Sequence, residues 1–222
     1  MSDGTAVGID WYKGGWVGVA LDAGGGVDVL VDRDLAALIE QVPGAACVGV
    51  DMPIGLPRTE READTAARAF VGRRWPSVFA TPPQAVLDAE SYADANAVAA
   101  QLVGKKISQQ AWALRHNIKR VAEVAARDAR VLEVHPEVSF RALVGQEIAF
   151  PKTTWNGHAL RRRALEGAGI ELPDDLGAAG IVPVADVLDA AVAAWTARRY
   201  AQERAESLPA GAARGAREVI WY

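Results

Sequence analysis

The chain has 222 residues, of which 50% are hydrophobic and 23% are charged, a balance that excludes a disordered or collagen-like protein. Its formal net charge of −4 and pI near 5.5 argue against broad, sequence-blind nucleic-acid binding, although a local basic groove is compatible with both values. One cysteine, Cys47, excludes an internal disulfide, and with three histidines it excludes a structural zinc site. The polar start, residues 1–5, predicts no signal peptide, and no run reaches the ~20 apolar residues of a membrane span, so we predict a cytoplasmic protein.

Three β-strands are predicted first, over residues 5–11, 15–22 and 27–32. The turns between them, Tyr12-Lys13-Gly14 and Gly24-Gly25-Gly26, are short and contain glycine, as hairpin connections do. Strands joined by such short turns run antiparallel. The sequence therefore predicts an antiparallel sheet of three strands at this end of the chain.

A helix and a fourth strand are predicted next. Asp34 is a typical N-cap residue and predicts a helix over about 35–42. The continuous apolar run 46–50 predicts a strand that is covered on both faces of a sheet. It ends at Asp51, and the prolines and glycine of the segment 52–57 then exclude further regular strand.

The remainder of the chain is predicted to be mainly helical, with one further internal strand. The predicted elements are an insertion of short helices and loops over 58–104, a helix over about 106–127, a strand over 130–134, mixed short helices and loops over 136–180, a helix from about 186 to 205, and a last short strand over 219–222.

This order of elements matches the ribonuclease H-like topology. We therefore predict an α/β fold with a five-stranded mixed sheet and flanking helices, in which strands one and four are parallel neighbours. The chain, residues 1–222, is predicted to form a single domain of this kind, with the helical insertion at about 58–104 following strand four.

Two aspartates lie at the carboxyl ends of strands that this topology makes neighbours. Asp10 is near the end of the first strand and Asp51 ends the fourth. Open α/β sheets place their sites at such positions, so the two carboxylates are candidate catalytic and metal-binding groups. The alternative is that each aspartate only forms a turn at a strand end, although Asp51 has no helix to cap because Pro53 follows.

A second pair of aspartates begins the last predicted helix. Asp186 and Asp189 are three residues apart and so share one helix face. The alternative is that Asp186 caps the helix and that Asp189 interacts favourably with the helix dipole in the first turn. If the helix delivers them against Asp10 and Asp51, the carboxylates repel unless cations lie between them. Oxygen ligands suit Mg²⁺ or Mn²⁺, and two ions ~4 Å apart activate water and stabilise a leaving oxygen. We predict Asp10, Asp51 and Asp189 as metal ligands, with Asp186 assisting.

Two residues after the fifth strand add candidates for proton transfer and for the carboxylate cluster. His135 titrates near neutral pH and is a candidate proton carrier, and Glu137 is a candidate member of the cluster. The alternative for His135 is a hydrogen bond to backbone carbonyls at the strand end. A triad with Ser139 is disfavoured, because the serine lacks a Gly-x-Ser-x-Gly elbow.

Five basic residues are candidates for phosphate binding, since arginine and lysine are the usual partners of phosphate. They are Arg58, Arg61, Arg68, Lys152 and Arg161. The alternative is that they belong to solvated charged faces. Trp11, Trp75 and Trp155 are candidates for stacking on bases, with packing at the core or its rim as the alternative.

Several motifs together resemble one protein family over about residues 6–222. They are Gly8-Ile9-Asp10, Asp51-Met52-Pro53-Ile54-Gly55-Leu56-Pro57, Arg61, Asp64, Ala67-Arg68, Ser77-Val78-Phe79, Glu133-Val134-His135-Pro136-Glu137, Ser139-Phe140, Lys152-Thr153 and Asp186-x-x-Asp189-Ala190. The family is the bacterial and archaeal "domain of unknown function 429", described as a predicted nuclease of ribonuclease H-like fold.

The late Asp186-x-x-Asp189-Ala190 also resembles the ending of RuvC-type junction resolvases. In those proteins strand four carries a glutamate, whereas this chain has the shorter Asp51. The resemblance implies that Glu137 contacts the metal and so compensates for the shorter side chain of Asp51.

The leading hypothesis is a divalent-metal-dependent nuclease with Mg²⁺ or Mn²⁺ as cofactor. Its substrate is left open between DNA, RNA, a branched junction and a small phosphate ester, and the acidic pI makes long duplexes the least attractive of these. The second hypothesis is a non-catalytic ribonuclease H-like protein that uses the acidic cleft to bind a ligand or partner. The sequence leaves the oligomeric state open.

Overall fold

The computed structural model describes residues 4–222; the first three residues, on which part of the signal-peptide expectation depends, lie outside that range. The chain has an α/β fold built on a five-stranded mixed sheet that is flanked by helices. The strands of this sheet are β1 (Ala6–Tyr12), β2 (Gly15–Leu21), β3 (Val27–Asp32), β4 (Cys47–Val50) and β5 (Val131–Glu133).

The strand order is β3-β2-β1-β4-β5, with β1 at the centre. The first three strands are antiparallel, whereas β4 is parallel to both β1 and β5. The prediction that the first and fourth strands are parallel neighbours is therefore confirmed. In their register Gly8 is opposite Gly49, and Ile9 is opposite Val50.

Helices form most of the rest of the chain. They are α1 (Leu35–Glu40), α2 (Glu62–Val71), α3 (Gln84–Leu87), α4 (Tyr92–Val103), α5 (Gln109–Ala113), α6 (Arg115–Arg127), α7 (Pro136–Val144), α8 (Trp155–Gly167) and α9 (Val184–Ala201), with short 3₁₀ helices at Gly72–Ser77 and Gly177–Ile181. Two short strands, β6 (Ser207–Leu208) and β7 (Ile220–Trp221), pair antiparallel, and β7 lies within the predicted last strand. Over residues 4–222, no helix has both the length and the apolar composition needed to cross a membrane.

The helices differ from the prediction in length and in number. The predicted helix over about 106–127 is two helices, α5 and α6, separated at Leu114; α5 begins late because the Ser108 hydroxyl accepts the Ala111 amide. The segment after strand four contains α4, a helix of 12 residues capped by Ser91 and ended by Gly104, rather than short helices alone. Likewise, α8 has 13 residues and begins at the cap residue Thr154.

The sheet carries a helical layer on each face. Val7, Ile9, Val48 and Val50 pack on the face covered by α1 and α6. Ala6 and Cys47 pack on the opposite face, against Ala193 and Ala197 of α9. Because successive residues of a strand point to opposite faces, Gly8 and Gly49 also lie on the α9 side.

Helix α9 lies unusually close to the sheet at these two glycines. A Cβ atom at Gly8 would collide with the backbone of Ala190 and Ala194, and one at Gly49 would lie 2.8 Å from the Ala193 carbonyl oxygen. Backbone therefore packs on backbone, and the absence of two side chains permits the approach. We refer to this contact as the glycine seam.

Candidate active site

Strand alternation places Asp10 and Asp51 beside each other below α9. Asp10 follows Gly8 by two residues and Asp51 follows Gly49 by two, so both continue the α9 face of the sheet. The Asp51 amide donates a hydrogen bond to the Ile9 carbonyl at 2.9 Å, which extends the β1–β4 ladder by one step. The two carboxylates are thus held by the sheet backbone at its carboxyl edge.

Helix α9 supplies the third carboxylate, Asp189, one turn before Ala193 of the glycine seam. One carboxylate oxygen from each of Asp10, Asp51 and Asp189 lies within 4.8 Å of the others. Asp10 and Asp189 are buried, with 5% and 2% of their surface exposed, and Asp51 is half-buried. We call these three residues the carboxylate cluster.

Burial and mutual repulsion disfavour the charged forms of the cluster. Burial, followed by the charges of Asp51 and Asp189, raises the pKa of Asp10 well above its usual value. Burial and the charge of Asp189 raise the pKa of Asp51 to about 8. Burial also raises the pKa of Asp189, against the opposing effect of Lys152. A cation placed among these oxygens would relieve both effects.

Lys152 reaches into the carboxylate cluster. Its Nζ donates to Asp189 Oδ2 at 2.5 Å, and the side chain is 37% exposed. Burial alone would lower the pKa of this ammonium, but the charges of Asp189 and Asp51 raise it above its usual value. The residue predicted to contact a phosphate therefore contacts a cluster carboxylate.

Asp186, the predicted assisting residue, lies in the first turn of α9 and lines the same cavity as the cluster. It is half-buried and is not one of the three residues whose oxygens meet. Burial raises the pKa of its carboxyl, and Lys152 lowers it.

Glu137 and His135 line the cavity at the start of α7. Glu137 is not a member of the carboxylate cluster: its Oε1 accepts hydrogen bonds from Arg161 at 2.8 Å and from Arg74 at 3.4 Å. The His135 Nε2 lies 3.4 Å from the Ser77 carbonyl oxygen, a backbone contact of the kind expected under the structural alternative. Burial lowers the pKa of His135, which favours the neutral imidazole.

Three of the predicted phosphate-binding residues have other partners. Arg161 is fully buried and donates to Glu137 and to two backbone carbonyls. Arg61 is buried between Asp64 and Glu133. Arg68 donates to the Val78 carbonyl at 2.8 Å and does not line the cavity. A phosphate contact by Arg61 or Arg161 does not fit these positions, because both guanidinium groups are already paired and shielded from solvent.

The carboxylate cluster opens into a cavity of about 440 Å³. Its wall includes the apolar side chains Trp11, Phe79 and Leu114 and the half-exposed cation Arg74. The Arg74 side chain is 24% exposed, and its hydrogen bond to Glu137 is long, so its guanidinium is the more available of the cavity arginines. The sequence shows the pair Arg73-Arg74 but carries no signal that the second residue faces a cavity, so Arg74 was not predicted.

The fold and the site define the class: an α/β protein with a mixed sheet and a carboxylate cluster at the carboxyl edge of two parallel strands. The family model described as "Protein of unknown function (DUF429)" matches residues 8–214, so the chain belongs to this family, as its motifs indicate. Comparisons with curated proteins and with solved structures found no match.

Proposed function

We propose that this protein is a divalent-metal-dependent hydrolase that cleaves phosphodiester bonds in nucleic acid. The observation that carries the proposal is the carboxylate cluster, in which oxygens of Asp10, Asp51 and Asp189 converge within 4.8 Å. Two of these carboxylates are buried, and nearby like charges disfavour their ionised forms without a cation.

The donor set fits Mg²⁺ or Mn²⁺. Both ions prefer carboxylate oxygens, and Mg–O bonds are about 2.1 Å long. Because their oxygens already lie within 4.8 Å of one another, Asp10, Asp51 and Asp189 would hold such an ion after a small movement of the carboxylates. Bound there, the ion lowers the pKa of a coordinated water and stabilises charge on phosphate oxygens.

Other residues of the cavity have roles that follow from their positions. His135 is on the wall and its lowered pKa favours the neutral imidazole; because Nε2 faces the Ser77 carbonyl, the proton acceptor that we assign is Nδ1, which is buried and has no hydrogen-bond partner among the described residues. Arg74 is the cation that we assign to the substrate phosphate, since it lines the cavity and keeps a quarter of its side chain exposed. Glu137 and Arg161 form a buried pair behind this wall, and Glu137 also accepts the long hydrogen bond from Arg74.

The size of the cavity favours a small substrate unit. About 440 Å³ lies in the range of sites for small molecules, and its wall offers Trp11 and Phe79 as apolar surfaces for an unpaired base. A single-stranded nucleic acid or a small phosphate ester suits this shape better than a long duplex, and the acidic pI points the same way.

Asp10 provides the direct test. Asp10→Asn keeps the side-chain shape and removes one ligand charge, so we expect it to abolish metal-dependent cleavage and to weaken Mn²⁺ binding at least tenfold. The metal-free protein should be as stable or slightly more stable, because the change relieves carboxylate repulsion. Asp28→Asn is the matched control, since Asp28 is an exposed aspartate of the same sheet.

Three measurements are needed: calorimetry with Mn²⁺, thermal melts in chelator, and cleavage of single-stranded, duplex, hybrid and branched substrates. A stability loss of about 1–2 kcal/mol with activity retained would make Asp10 a structural residue and contradict the proposal. Metal binding by the wild type without cleavage of any substrate would favour the non-catalytic binding protein. Absence of metal binding at millimolar Mn²⁺ would contradict a metal site of any kind.

A further inference from the structure

The carboxylate cluster contains a cation supplied by the chain itself. The Lys152 ammonium donates to Asp189 Oδ2 at 2.5 Å. Lys152 also lines the same cavity as Asp10 and Asp51, and its positive charge lowers the pKa of both carboxyls. One of the Asp189 oxygens is therefore already engaged by a charged donor.

The backbone just before Lys152 is tied to the start of α8. The Phe150 carbonyl accepts a hydrogen bond from Arg161 at 3.1 Å, and the Pro151 carbonyl accepts the Thr154 hydroxyl at 2.8 Å and the Thr154 amide at 3.1 Å. The same carbonyl packs against Gly157, where a Cβ atom would collide with it. The lysine thus projects from a braced segment, and its ammonium is positioned before any ligand binds.

Charge balance limits how many metal ions can join this ammonium. One divalent ion and one ammonium together neutralise the three carboxylates of the cluster. Two divalent ions beside the same ammonium would leave two positive charges in excess of the cluster, or one when Asp186 on the cavity wall is counted, and an excess charge in a largely buried site is costly.

We propose that the Lys152 ammonium takes the place of a second metal ion in the carboxylate cluster, so that the protein binds a single divalent ion there. The inference rests on the proposed function, which supplies the metal ion. The ammonium then provides the fixed positive charge beside Asp189 that a second ion provides in two-metal sites. Lysine suits this role because its charge is a compact point with three donors.

Metal stoichiometry tests the proposal without reference to activity. We expect one Mn²⁺ per wild-type chain by calorimetry, with the electron paramagnetic resonance spectrum of an isolated ion. Lys152→Met removes the ammonium at similar volume, so that two ions are balanced by the cluster together with Asp186 on the cavity wall, and it should bind two Mn²⁺ with a spin-coupled spectrum. Lys106→Met, at an exposed lysine, is the control and should bind one ion as the wild type does.

Thermal melts in chelator and in Mn²⁺ accompany the titrations. Lys152→Met should lose stability without metal and regain it with Mn²⁺, with a larger metal-induced rise in melting temperature than the wild type. Lys152→Arg keeps a cation at this position and should retain one ion, which provides a folded comparison if the methionine variant fails to fold.

The outcomes separate this inference from the proposed function. Two coupled ions in the wild type, or a single ion in Lys152→Met, would overturn the role of Lys152 and leave the metal site intact. No Mn²⁺ binding by the wild type would overturn the proposed function and this inference together.

Discussion

Two buried groups of charged residues line the same cavity and are organised in opposite ways. In the first, Arg61 lies between Asp64 and Glu133 with four guanidinium–carboxylate hydrogen bonds of 2.5–3.0 Å. Backbone amides complete this set: Ile54 donates to Glu133 at 2.8 Å, and Thr81 donates to Asp64 at 2.6 Å. We call this group the arginine network.

The carboxylate cluster, by contrast, brings like charges together. Its oxygens face one another, and Lys152 engages only one of the Asp189 oxygens. The arginine network joins the loop after β4, the start of α2 and the end of β5, so its charges stabilise the wall of the cavity. The carboxylates of the cluster repel one another, and a bound cation can relieve this repulsion. Fully paired charges thus mark structural support in this protein, and carboxylates that outnumber their one cation mark the candidate binding site.

The largest effect is expected where the arginine network is broken. Arg61→Met leaves Asp64 and Glu133 buried without their partner, and removing one member of a buried ion pair costs about 3–5 kcal/mol. Urea unfolding should show this loss, whereas Arg58→Met, at an exposed arginine, should stay within about 0.5 kcal/mol of wild type. A loss below about 1 kcal/mol in Arg61→Met would show that the network does not support the wall.

The carboxylate cluster should instead make stability fall as pH rises. The pKa of Asp51 is raised to about 8 in the folded protein, so between about pH 4 and pH 8 the folded state binds a proton that the unfolded state has released. Metal-free protein should therefore lose about 1–3 kcal/mol over that window relative to Asp51→Asn. Urea unfolding in chelator at pH 5 and pH 8 measures the difference; parallel curves for the two proteins would contradict the repulsion.

The smallest effect concerns Arg74, which lies on the wall of the cavity that both groups line. Arg74→Ala should raise KM for a cleavable substrate about tenfold, equivalent to about 1.4 kcal/mol, with kcat changed less, because the guanidinium binds phosphate in ground and transition states alike. Arg73→Ala is the control, since that neighbouring side chain is 92% exposed, and it should stay within twofold. Equal effects of both changes would indicate general electrostatic attraction rather than a contact in the cavity.

The part of the site that the sequence predicted depends on local signals. Strand ends placed Asp10 and Asp51 at one sheet edge, and helical spacing placed Asp189 on the face of α9 that meets them. Both inferences use only a few neighbouring residues and the parallel pairing of two strands. The central sheet was predictable for the same reason, since short glycine turns and apolar runs fix its first four strands.

The unpredicted part depends on pairs that are distant in sequence. Arg61 and Glu133 are 72 positions apart, and Lys152 and Asp189 are 37 apart. An arginine that will be buried beside a carboxylate has no local pattern that distinguishes it from one in solvent, so Arg161 was predicted to contact phosphate although it is fully buried. The starts of α4 and α8 depend on capping by Ser91 and Thr154, which is a local signal present in the sequence.

The glycine seam determines how rigid the carboxylate cluster is. At Gly8 and Gly49 the backbone of α9 packs directly on the backbone of the sheet, so no side-chain rearrangement can change the spacing between helix and strands. The backbone positions of Asp189 and Asp10 are consequently set before a ligand binds, so binding requires only adjustment of the carboxylate side chains. Fixed backbone positions limit the oxygen separations that the carboxylates can reach, and this limit affects ions differently, since Mg²⁺ requires oxygens at about 2.1 Å and Ca²⁺ at about 2.3–2.6 Å. Gly8 and Gly49 thereby contribute to the choice of ion, although neither residue contacts it.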